Sequence, residues 1–155
     1  MKSWDDLFGN LNPNQIREKR NLLYTDLCGR QPYGVTVRVE SRYGDGLKCF
    51  DTNLVGVESP NTVVLHDETR YAQLDSFFIF ADGMMVRPYL RRMDSMTERE
   101  EESRCAFLDD IEGGVEEAIP NYVDWLNSRH FDYRGLIPKG LALEAPDGMY
   151  PESCS

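Results

Sequence analysis

Val35-Thr36-Val37-Arg38-Val39-Glu40, then Ser41-Arg42-Tyr43-Gly44-Asp45-Gly46, then Leu47-Lys48-Cys49-Phe50, is the stretch on which the fold turns. Valines at every second position alternate with polar side chains, the period-two pattern of a strand with one face buried. Asp45-Gly46 follows, a hairpin signal, because a tight primed turn needs positive φ at its central residues. The return strand is predicted over 47–57. Its alternation changes parity near Phe50-Asp51-Thr52, which predicts a bulge or a sharp bend there.

Working outward, Glu58-Ser59-Pro60-Asn61 reads as a turn and 62–65 as a third strand. Residues 77–80 and 84–87 flank Ala81-Asp82-Gly83, a second hairpin signal. Pro88 cannot donate to a ladder and belongs at an edge or a strand end. Five short strands with a bent second one predict an α+β protein built on a small, strongly curved antiparallel sheet over 34–90. An SH3-like or Sm-like barrel is one way to close such a sheet.

Helices are predicted on both sides. Asn12-Pro13 supplies an N-cap and a proline at the first helical position. Ile16, Leu23 and Leu27 form a stripe, and Gly29 reads as a stop, giving a helix over 13–27 behind an arm over 1–12 carrying Trp4, Leu7 and Phe8. From Ser95 the chain turns helical again. Ser95-Met96-Thr97-Glu98 reads as a capping box, Glu100 and Arg104 as an i,i+4 pair, and Gly113-Gly114 as a break. A main helix is expected over 120–129, with Pro120 starting or kinking it. The tail, 131–155, is expected to wrap the body as extended chain, anchored by Leu136, Ile137, Leu141 and Leu143. One domain is expected over 1–155.

The charge is divided unevenly. Residues 1–93 carry 12 acidic and 12 basic side chains, whereas 94–155 carry 15 and 5, so the C-terminal part holds the whole net charge of -10. Between Asp94 and Glu117 ten carboxylates face only Arg99 and Arg104. Such a field repels nucleic acid and anionic lipid and attracts basic surfaces. No apolar run is long enough to span a bilayer, and Cys28, Cys49, Cys105 and Cys154 are too scattered for a metal motif. A protein of the cytoplasm with reduced thiols is expected.

Signatures of chemistry are weak. His66-Asp67-Glu68 has the His-x-Glu of a zinc deaminase without its Pro-Cys-x-x-Cys partner, so no metal or cofactor is expected. His130 reads as a helix C-terminal residue favoured by the dipole. Gly135 to Gly140 has a phosphate-loop gap, but Leu141 stands where lysine is needed. Cys49 is a cysteine nucleophile only if its strand lies beside that of His66. Non-catalytic binding of a basic protein surface, of host or phage, through Glu98, Glu101, Glu102, Asp109, Asp110 and Glu112 is therefore the leading expectation. The alternative is a β-face site for a peptide or nucleic acid, formed by Tyr33, Arg38 and Tyr71. The basic run 87–92 suggests either an internal charge contact or a docking site for an acidic partner.

Two stretches carry a resemblance. Arg87-Pro88-Tyr89-Leu90-Arg91-Arg92-Met93 running into Ser95-Met96-Thr97-Glu98 is one. The other runs from Trp125-Leu126-Asn127 through His130-Phe131-Asp132-Tyr133-Arg134-Gly135-Leu136-Ile137 to Gly140-Leu141-Ala142-Leu143-Glu144-Ala145-Pro146. They resemble a group of small, uncharacterised proteins encoded by phages, prophages and mobile elements of gut Bacteroidales. The N-terminal helix with Tyr24-Thr25-Asp26 and the following hairpin are similar too; the segment from Phe77 to Met85 is not mapped. The resemblance implies a genomic context and brings no catalytic residues.

Overall fold

The computed structural model describes residues 11–41, 48–59, 62–67, 73–78, 80–81 and 84–150. Trp4, Leu7, Phe8, Tyr71 and Cys154 lie outside the described residues.

Helix α1 spans Pro13–Arg30. Its start is local chemistry: the Asn12 side chain accepts from the Gln15 N–H at 2.9 Å, and the Gln15 side chain accepts from the Asn12 N–H at 3.0 Å. Gly29 does not stop it. The helix runs to Arg30, a 3-10 turn follows over Gln31–Tyr33, and Gly34 makes the reversal at φ 65. Gly29 is instead a close approach, since a Cβ there would lie 3.0 Å from the Asn127 side-chain nitrogen.

The strands are β1 Thr36–Ser41, β2 Lys48–Ser59, β3 Thr62–Asp67, β4 Gln73–Phe78, β5 Phe80–Ala81 and β6 Met84–Leu90, with β7 at Leu143–Glu144. They form one sheet in the order β4-β3-β2-β1-β6-β5, with β7 alone parallel, on β6. The predicted α+β class is what the fold shows. The sheet is open, with β4 and β5 at its ends, so the barrel is not closed. Ser41 pairs with Lys48 and Ala81 with Met84, while the predicted turn residues Asp45-Gly46 and Asp82-Gly83 lie outside the described residues. The bend lies later than predicted. Pairing of β2 with β1 is regular from Lys48 to Asn53, and the register slips against β3 between Leu54 and Gly56. Pro88 sits near the end of β6, where β5 reaches only Met85 and β7 begins at Tyr89.

Leu23 and Leu27 of α1 pack with Val35 just ahead of β1 and with Val37, Val39, Leu54, Val63, Leu65, Val86 and Leu90 from the sheet. Leu136, Leu141 and Ala142 complete this core. The tail thus places its expected anchors Leu136 and Leu141 in the core, but through a coiled rather than an extended segment. Asp132 accepts backbone N–H bonds from Leu136 at 2.7 Å and Ile137 at 2.9 Å, coiling the segment so that Leu136 points inward.

Helices α2, Glu98–Glu112, and α3, Ala118–Ser128, form a hairpin outside the sheet. Thr97, not Ser95, is the N-cap of α2, and Glu100, not Glu98, closes the box at N3. Pro120 lies in the first turn of α3, where its missing N–H costs nothing. Phe107 packs on Tyr122 and Trp125, which holds the hairpin together.

Candidate functional site

Arg30 is fully buried, and Asp26 one turn earlier holds it through two bonds of 2.8 and 3.1 Å. The same carboxylate takes Arg134 at 3.0 Å, while Arg30 donates to the Phe131 carbonyl. Arg134 lies over the Tyr133 ring, whose hydroxyl donates to Asn127 at 2.9 Å. This polar lock ties α1, α3 and the tail together.

Helix α3 ends in a Schellman turn. The Phe131 N–H reaches the Leu126 carbonyl, the His130 N–H reaches that of Asn127, and Trp125 packs on Phe131. His130 sits at φ 62 in the left-handed position. It is not a dipole-stabilised cation. Burial, then the positive charges of Arg30 and Arg91, lower its pKa to about 4, so it is neutral near pH 7. Its ring stacks on Tyr150 at 3.9 Å. The half-buried Tyr150 hydroxyl donates to the Tyr89 carbonyl at 2.8 Å and accepts from the Thr36 N–H at 3.0 Å. Most of the stretch from Trp125 to Ala142 is therefore architecture: it builds the turn, the lock and the core.

The basic run is neutralised internally. Arg87 meets Glu40 at 2.6 Å, Arg91 makes a two-pronged pair with Glu100 at 2.6 and 2.8 Å, and Arg92 meets Asp94 at 2.7 Å. Glu100 is only 4% exposed and is diverted from Arg104, its expected partner. Burial opposes its charge, but bonds from Arg91 and Thr97 outweigh this and leave its pKa lowered. Arg104 instead donates to the Tyr122 hydroxyl at 3.2 Å and lies 3.6 Å from Glu101.

Of the expected β-face site, Arg38 is committed to neighbours and Tyr71 lies outside the described residues. Tyr33 is exposed, but Arg38 reaches Tyr89 at 3.4 Å and Glu40 at 3.3 Å. Cys49 pairs across from Glu40, and β3 joins β2 only from Leu54 onward, so the strand register does not bring Cys49 and His66 together. Among the described residues, no group of three or more His, Cys, Asp or Glu side chains is placed to hold a metal ion. A hollow of about 470 Å³ between the Met93–Ser95 turn and the tail is lined by Arg92, Asp94, Asp132 and Glu144. Its Arg92 and Asp94 pair with each other, and Asp132 is occupied by backbone.

The acidic hairpin is where outward carboxylates collect. Glu98, Glu101, Glu102, Asp109, Asp110 and Glu112 are all exposed, and among the described residues only Glu101 has an ion-pair partner. Glu98 and Glu101 lie in the first turn of α2, where the dipole favours them. Asp109, Asp110 and Glu112 lie in the last turns, which carry no basic residue, so the dipole disfavours them. Around that end Leu108 is 38%, Val115 54% and Ile119 61% exposed. Sequence reasoning named the acids but not this apolar neighbourhood, nor the lock residues Asp26, Arg30 and Arg134.

No protein-family model, curated protein or solved structure matches the chain. No helix among the described residues is long and apolar enough to cross a membrane.

Proposed function

We propose that the protein is a non-catalytic accessory factor of a phage or mobile element that binds a basic protein surface through its α2–α3 hairpin. The observation that carries this reading is the row of outward carboxylates on α2, almost none paired internally, on a chain of net charge -10. Carboxylates so concentrated steer a basic partner into contact and repel phosphate backbones and anionic lipid. The genomic context comes from the resemblance to proteins of gut Bacteroidales elements, and it implies action in the host cytoplasm. The β-face alternative is weaker, because Arg38 is held by Tyr89 and Glu40.

The test is affinity capture from a Bacteroidales lysate at low and high salt, with wild type and a Glu98→Lys, Glu101→Lys, Glu102→Lys variant whose helicity is checked by circular dichroism. A basic partner released by salt and lost with the variant supports the reading. A partner indifferent to both refutes it and turns attention to the sheet.

A further inference from the structure

Resting on the reading above, we infer that the contact centre is the tip of the hairpin, and that its occupant is a basic amphipathic segment of the partner. Apolar side chains of that segment seat on Leu108, Val115 and Ile119, while its lysines or arginines meet Asp109, Asp110 and Glu112.

Two independent features locate the centre at the tip rather than at the start of α2. The acids of the first turn have a local reason to be there, because they face the positive end of the helix dipole. Those at the other end oppose the dipole and have no basic neighbour in the last turn, a broken local rule of the kind that accompanies function. Exposed aliphatic residues also fall on both sides of that end and in the connection: Leu108 in α2, Val115 between the helices and Ile119 in α3. Val115 and Ile119 are more than half exposed, yet the Ala118 N–H bond to the Val115 carbonyl holds the connection in a defined turn. An apolar centre with a charged rim is the usual anatomy of a protein contact.

Charge selects the occupant. A second copy would place like-charged rims against each other, on chains of net charge -10 each, and like charges across a contact are strongly unfavourable. Anionic lipid and nucleic acid are repelled in the same way. A segment with apolar residues at helical spacing and flanking basic residues satisfies both the centre and the rim.

The experiment uses two fluorescein-labelled helical peptides, one with leucines at helical spacing among lysines, the other with serines replacing the leucines. Binding to the full chain is followed by anisotropy at several salt concentrations, with sedimentation velocity of the protein alone. Wild type should bind the leucine probe at least about tenfold tighter than the serine probe, which corresponds to about 1.4 kcal/mol. A Val115→Ser, Ile119→Ser variant should lose that preference, and an Asp109→Asn, Asp110→Asn, Glu112→Gln variant should weaken both probes. Equal affinities for the two probes in wild type, or a preference that survives Val115→Ser, Ile119→Ser, would overturn the inference while leaving the electrostatic reading standing. Absence of binding by either probe would sink both. Self-association abolished by Val115→Ser, Ile119→Ser would mark the tip as a self-interface and overturn the inference too.

Discussion

Replacing Asp26 by Asn removes the negative charge from the centre of the lock while preserving side-chain shape. In the native protein that carboxylate faces Arg30, fully buried, at 2.8 and 3.1 Å, and Arg134 at 3.0 Å. The variant leaves the Arg30 guanidinium buried with the Phe131 carbonyl as its main acceptor. Removing one partner of a buried pair costs about 3–5 kcal/mol, because the remaining charge is desolvated without compensation. Against a typical total of about 5–15 kcal/mol, that is a large fraction of the stability. At about 2–4 °C per kcal/mol for a chain of this size, the melting midpoint should fall by about 6–20 °C. The assay is urea and thermal unfolding followed by circular dichroism, on Asp26→Asn, Arg30→Met and the double variant. The double variant should cost less than the sum of the singles, since Arg30→Met removes the stranded charge. A loss below about 1 kcal/mol in Asp26→Asn, or strict additivity, would refute the claim that the lock is a coupled buried network.

Two predictions concern pH. His130 has a folded pKa of about 4 against an ordinary 6.5, so the unfolded chain binds its proton first, and the stability this represents is present above pH 6.5 and lost as pH falls toward 4. The drop should be about 3 kcal/mol, and it should vanish from that window in His130→Asn, which tolerates the left-handed φ; an unchanged slope in chemical unfolding between pH 7 and 4.5 would disprove it. Glu100 has a lowered folded pKa, so its contribution is present above its unfolded value of 4.5 and lost as pH falls through the folded one. Glu100→Gln should therefore flatten the acid limb below pH 4.5 and lower stability at pH 7 by about 1–3 kcal/mol, read from urea midpoints.

The sequence by itself determined what neighbours along the chain decide. The Asn12 cap, the strand alternation at 35–40, the break at Gly113-Gly114 and the position of the acidic field all depend on residues within about one turn or one pleat, where dihedral preference and side-chain spacing are sufficient. The outward acids of α2 were legible for the same reason. Tertiary structure decided everything that needs a distant partner. Gly29 looks like a stop from its own neighbours, yet it makes room for Asn127. Glu100 looks like a match for Arg104, but Arg91, just beyond the end of β6, offers a two-pronged, water-shielded pair that an exposed i,i+4 contact cannot rival. The tail's turn residues suggest extended chain anchored by Leu136 and Leu141; both do enter the core, but on a segment that Asp132 coils. Arg134 meets Asp26 from 108 residues away, a contact that only the folded chain brings about.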